Sequence, residues 1–415
     1  MTGAPVDPAL VEHLRARAAR HPRVAAGAVD RAALEEVVDG LLEDERRILP
    51  AGERVALVRA VVDEALGLGP LEAPLRDPAV TEIMVVGPHR VFVERAGRIA
   101  PAGIRFHDEA HLLHVIDRIL APLGRRIDEA SPMVDARLPD GSRVNAVIRP
   151  LSLDGPALTI RRFATAPLGV DDLVGLGSLD AQTAALLRAA VAARRNILVT
   201  GGTGSGKTTT LAALAALIPA GERVITIEDA AELRIDLPHV VRLESRPPSL
   251  EGRGAVPIRA LVRNALRMRP DRIIVGEVRG GETLDMLAAM TTGHEGSLST
   301  LHASSPADAL LRVQTLALMG DVDLPYRAVG DQVASALDLI VHQARTPDGG
   351  RAVERVAAVA AGPDGPRAVT LARRRSGPGG PRALWSPAAR EWLVRARAEA
   401  RARGVEPAPR EGAAS

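Results

Sequence analysis

Apolar positions along the first part of the chain recur at helical spacing. Leu10, Val11 and Leu14 form one set, and Leu34, Val37, Val38, Leu41 and Leu42 another, with acids and arginines between them. Pro50-Ala51-Gly52 interrupts the pattern before a further helix over 53–66. Residues 1–65 therefore read as a helical lead that docks or packs. After Gly67-Leu68-Gly69-Pro70 the period changes to that of strands. Residues 80–86 and 90–94 flank Gly87-Pro88 as a hairpin, 110–120 form a helix, and 143–148 and 157–161 are strands. This predicts a mixed α+β domain over 66–163.

Residues 164–180, with Pro167, Gly169, Gly175 and Gly177, read as a connector. A helix over 180–194 then leads into an alternation: strand 196–200, helix 209–217, strands 223–227 and 240–243, helix 257–268, strand 272–275, helix 282–290, strand 297–301. Helices 306–318 and 325–337 and a closing strand pair, 339–342 with 351–359, complete it. Such alternation predicts an α/β fold, a mostly parallel sheet with helices on both faces, over 181–361. The remainder, 362–415, is rich in Pro, Gly and Arg and reads as a mobile tail with a short helix over 387–403.

Composition narrows the class. A chain of 415 residues, 46% hydrophobic and 25% charged, has room for two or three globular domains. A net charge of +2 gives no electrostatic footprint for nucleic acid, and 1% aromatic residues leaves few stacking platforms. There is no cysteine, hence no disulfide and no Cys-based zinc site. The N-terminus lacks a basic start with an apolar run, and no apolar stretch approaches the roughly 18 residues of a membrane span. The expectation is a cytoplasmic protein whose membrane contact passes through a partner.

The stretch that carries chemistry lies between strand 196–200 and the helix after it. Gly201-Gly202-Thr203-Gly204-Ser205-Gly206-Lys207-Thr208, followed by Thr209, fits the phosphate-binding loop pattern without a mismatch. Its N–H groups and the helix N-terminus form an anion site, Lys207 reaches the β- and γ-phosphates, and the Thr208 hydroxyl holds Mg²⁺. Lys207 is the only lysine in the chain; the other basic residues among 53 Lys+Arg are arginine. A compact ammonium fits a phosphate loop where a planar guanidinium does not. The expected ligands are ATP and Mg²⁺, and guanine recognition through a second lysine is excluded.

Hydrolysis also needs a base and a charge clamp. Ile273-Ile274-Val275-Gly276-Glu277 ends a buried strand with a carboxylate at the edge where ligands of such sheets lie, so Glu277 is the candidate base. Gly276 occupies the usual place of a metal-binding aspartate. Glu228 and Asp229 end another strand, where Glu228 could tune Glu277 and Asp229 could hold metal-bound water. His294, in Thr292-Gly293-His294-Glu295-Gly296, is a candidate γ-phosphate contact with His302 in support. A metalloprotease reading fails because Leu298 stands where a second histidine is needed. Arg143 and Arg161, in the first domain, are candidate phosphate clamps. Arg259, Arg263 and Arg267 share one helix face, a solvated face or subunit contact, and Arg279 is an interface candidate.

The order of these elements (phosphate loop, Ile227-Glu228-Asp229, Gly276-Glu277, Thr292-Gly293-His294) resembles the GspE/PilT-like type II/IV secretion ATPases. Arg125 to Glu129, Ser131 to Asn145 and Met268 to Gly280 look most like the Tad/CpaF tight-adherence pilus branch. The resemblance covers roughly residues 66–361. It implies a RecA-like P-loop domain with a smaller N-terminal domain, a homo-hexameric ring with nucleotide at the domain junction, and Arg143 and Arg161 on the γ-phosphate. It also implies work on an inner-membrane platform protein that assembles a pilus, at the inner face of the cell membrane. Val86 departs from the family's usual Asn, and the lack of cysteine excludes the zinc-binding insert of another branch. Two rival functions are a conjugative type IV secretion ATPase and, in a different class, a nucleic-acid motor. A non-hydrolysing scaffold is disfavoured by intact Lys207 and Glu277.

Overall fold

Continuous apolar runs in the second half and alternating ones in the first separate the chain into two kinds of sheet. The computed structural model describes residues 8–25, 30–45, 49–95, 97–162, 168–246, 253–320, 322–346, 348–375 and 382–405. Parts of the expected lead, connector and tail, including 163–167, 376–381 and 406–415, lie outside these. The chain divides into two units, Met1–Ala164 and Thr165–Ser415.

In the first unit, helices Pro8–Arg20, Arg31–Asp44 and Ala51–Leu66 turn their apolar stripes onto one another. Leu14, Val38, Leu42, Val61 and Val62 form a core of their own there. Asp30 caps the second of these helices by accepting the Ala33 N–H at 2.8 Å. A six-stranded antiparallel sheet follows: β1 (Val80–Val86), β2 (Arg90–Arg95), β3 (Arg98–Pro101), β4 (Met133–Arg137), β5 (Arg143–Val147) and β6 (Ala157–Arg161), in the order β3-β2-β1-β6-β5-β4. Helix Glu109–Leu120 lays Leu112, Val115, Ile116 and Ile119 on it. Short β3 and β4 carry no clear alternation and were not legible as strands.

The second unit holds one nine-stranded sheet: β7 (Ile197–Gly201), β8 (Val224–Glu228), β9 (Val240–Glu244), β10 (Arg272–Val275), β11 (Leu298–His302), β12 (Leu339–Arg345), β13 (Arg351–Gly362), β14 (Gly365–Arg375) and β15 (Arg382–Trp385). Their order is β15-β14-β13-β12-β7-β11-β10-β8-β9. From β12 to β9 neighbours are parallel; from β12 outward to β15 they are antiparallel. β7, β8 and β10 are buried throughout, as strands covered on both faces must be. One face packs on helices Ala181–Ala192 and Lys207–Ala215, the other on helices Ile258–Ala265, Glu282–Thr291, Pro306–Leu318 and Tyr326–Ala336.

The reading of 362–415 as a mobile tail is corrected over its described residues. β14 and β15 extend the sheet, and helix Pro387–Ala402 packs back on helix Ala181–Ala192. Leu371, Ala372, Ala389, Trp392, Ala396 and Ala400 are all buried in the same core as β7. These apolar residues are diluted among Pro, Gly and Arg, so composition hides them. What orders them is the open edge of β13, which supplies a hydrogen-bonding template. Among the described residues no helix is long and apolar enough to cross a membrane.

Candidate active site

In a parallel sheet the C-terminal strand ends lie along one edge, where ligands bind. Here β7, β11, β10 and β8 are consecutive neighbours. Their ends therefore bring together the loop after Gly201, His302, the 276–279 turn, and Glu228 with Asp229. The loop runs from Gly201 to Gly206, and helix Lys207–Ala215 starts at once. Gly206 takes φ 92°, a left-handed turn suited to glycine. Thr203 is exposed, and Thr208 and Thr209 are half-buried in the first helical turn.

Lys207 is buried, and its ammonium donates to the Gly202 carbonyl at 2.9 Å. The same ammonium lies 3.4 Å from His302 Nδ1. On the other side of that imidazole, Nε2 is 2.8 Å from Glu277 Oε1. A neutral His302 accepts from Lys207 through Nδ1, while Glu277 Oε1, although this close to Nε2, is buried without a hydrogen-bond partner. Burial, with the Lys207 charge next, holds the His302 pKa below its ordinary value, which favours that form. Arg279 Nε donates to Glu277 Oε2 at 2.8 Å, and its guanidinium lies 3.9 Å from Asp229. Arg279 is thus drawn onto two carboxylates of its own chain.

Glu228 is 4% exposed and turns its carboxylate onto the N–H groups of Glu232 and Leu233, at 2.9 and 3.0 Å from Oε1. Burial raises its pKa to about 7 against the pull of those two bonds. Its side chain also explains Gly276: a Cβ there would stand 2.7 Å from Glu228 Cγ. No aspartate can occupy that position while Glu228 fills it. Asp229 is exposed and accepts from the Ser245 hydroxyl at 3.1 Å.

His294 is not beside the loop within the chain. β11 runs parallel to β7 with His302 opposite Gly201, so the residues before β11 lie at the opposite edge of the sheet. Gly296 and Ser297 are tied there by the Asn196 amide oxygen, at 2.8 and 3.0 Å. At about 3.3 Å per residue, β11 alone separates its two ends by roughly 13 Å. The histidine brought to Lys207 is His302, which the sequence marked only as support.

Arg143 and Arg161 belong to the first unit and face each other across β5 and β6, with Arg137 opposite Arg143 on β4. Directly paired residues share a sheet face. Val144, Leu158 and Ile160 face the core, so the three arginines stand on the other face. Arg162 instead donates to the Val80 carbonyl at 3.2 Å. Of the helical arginine stripe, Arg259 and Arg263 both hold Asp285, at 2.8 and 2.7 Å.

The type II/IV secretion system protein family matches residues 64–359. A Mycobacterium tuberculosis protein named for conjugal transfer is 39% identical over 325 residues, spanning 77% of this chain and 92% of its own length. Conjugal transfer protein TrbB of Rhizobium radiobacter is 35% identical over 284 residues, 68% of this chain and 84% of its own. The pilus retraction motor PilT, solved with bound ADP, shares the fold at TM-score 0.51 and 22% identity, over 81% of this chain and 88% of that one.

Proposed function

This chain belongs to the type II/IV secretion system protein family and is an ATPase with a RecA-like fold, and from that premise we propose how it works and what it drives. The phosphate loop, Gly201 to Thr209, binds the triphosphate of ATP, with Lys207 on the β- and γ-phosphates. Glu277 is the base that polarises the attacking water. The observation that carries this is that Glu277, at the strand end beside the phosphate loop, keeps a buried Oε1 without a hydrogen-bond partner 2.8 Å from His302, whose other ring nitrogen lies 3.4 Å from the Lys207 ammonium. Glu228 and Asp229 close the same edge.

Mg²⁺ fits the donor set as a hard cation with oxygen ligands. Among the described residues no three His, Cys, Asp or Glu gather to hold a metal unaided, so the phosphates bring most of the ligands. Thr208 would hold the ion, with Asp229 in support through water, and the charge it would supply offsets that of the β- and γ-phosphates.

The assembly proposed is a homo-hexamer at the inner face of the membrane, bound through a platform partner and driving a Tad-type pilus. Conjugative secretion is the second reading, favoured by the two relatives named for conjugal transfer. Deleting the gene separates them by which is lost, piliation or plasmid transfer. For the chemistry, Glu277→Gln is expected to bind ATP and lose turnover by at least about a hundredfold. Lys207→Ala is expected to lose binding itself. Near wild-type turnover in Glu277→Gln would remove Glu277 from the role of base.

A further inference from the structure

The glycines of the phosphate loop are usually accounted for by the ligand they embrace. Here the hairpin behind the loop also closes round three of them, and at Gly201 its backbone leaves no room for a side chain. β12 lies beside β7 with Gln343 opposite Gly201, and the Gln343 carbonyl occupies the space a Gly201 side chain would need. The Arg345 guanidinium fills the corresponding space at Gly204. At Gly206 that space is bounded by Arg351 Cδ at 3.3 Å and Gln343 Nε2 at 3.4 Å. Arg345 and Arg351 are direct partners across β12 and β13. Only Gly202 of the four faces open space.

One contact in this wall bears on ligand binding. Arg345 Nε donates to the Gly204 carbonyl at 3.2 Å. That carbonyl shares a planar trans peptide with the Ser205 N–H, and the two point in opposite directions. Drawing the carbonyl outward toward β12 turns the Ser205 N–H into the concave side of the loop. There its contact to the Gly202 carbonyl is long, 3.4 Å, which leaves the N–H available to an anion. A cationic donor on the carbonyl also polarises the peptide and strengthens the N–H as a donor.

Resting on the reading of this loop as the triphosphate site, we propose that Arg345 is a positioning residue for phosphate binding. It holds and polarises the Gly204–Ser205 peptide from behind and does not touch the nucleotide. Its effect falls on nucleotide affinity in the ground state and transition state alike, hence on KM and not on kcat.

The full chain with Arg345→Ala, Arg345→Lys and Lys207→Ala tests this by ADP titration calorimetry, steady-state ATP hydrolysis and nucleotide-free melting. Arg345→Ala is expected to raise the ADP Kd and the ATP KM about tenfold, the scale of one charge-assisted hydrogen bond. Its kcat should stay within about twofold, its melting should be unchanged, and Arg345→Lys should restore most of the affinity. Unaltered KM in Arg345→Ala, a loss confined to kcat, or no rescue by lysine would each overturn the proposal. Lys207→Ala separates the two levels. Full ADP affinity there would sink the triphosphate reading itself, whereas lost affinity there beside an unaffected Arg345→Ala would sink only the role of Arg345.

Discussion

Glu228→Gln isolates the cost of burying one charge. The folded chain holds this carboxyl at a pKa of about 7 against an ordinary 4.5, because burial disfavours the carboxylate. Between those values the folded state binds more protons than the unfolded one, so stability falls as pH rises through the window. At about 1.4 kcal/mol per pH unit, the gap makes ionisation cost roughly 3 kcal/mol above pH 7. Glutamine keeps an oxygen for the N–H groups of Glu232 and Leu233 and keeps the volume beside Gly276. Near pH 4, below both values, the carboxyl is largely protonated in the folded and unfolded chain and the two proteins should unfold alike. Near pH 8 the variant should be more stable by roughly 2–3 kcal/mol, a shift on the order of 5–10 °C for a unit of this size. Calorimetric melting across this range, following the transition that ADP moves, measures the difference. A difference independent of pH, or one that shrinks as pH rises, would refute the burial argument.

Restoring a side chain at residue 276 should fail: Gly276→Ala places Cβ against Glu228 Cγ and should cost about 1–3 kcal/mol, read by chemical denaturation. Unchanged stability would show that Glu228 can leave its place. Protonated His302 cannot accept from Lys207, and its pKa is held low, so kcat should hold steady down through pH 6.5 and fall only below it. A pH–rate inflection above 6.5 that disappears in His302→Gln would contradict this assignment. Trp392→Ala removes a buried ring from the core that holds β7, and should cost about 3–5 kcal/mol of the second unit's stability. Wild-type melting in that variant would place the C-terminal helix outside the core.

The sequence by itself determined the parts whose physics is local. Gly201 to Thr208 is legible because a phosphate loop must be contiguous, and lone Lys207 marks it further. The buried strands Ile197–Gly201, Val224–Glu228 and Arg272–Val275 are legible as short runs rich in Ile, Val and Leu between helical periods. Glu277 follows from the strand end it sits on. Only the tertiary structure decided which histidine reaches the loop, because parallel pairing of β7 with β11 puts His302, not His294, beside Gly201. The same holds for Glu228 filling the space at Gly276, for Arg345 behind Gly204, and for the C-terminal strands and helix. Each of these joins residues far apart in the chain through sheet order. No local period or composition carries sheet order, because strand pairing is settled by the burial of faces that meet only once the chain has folded.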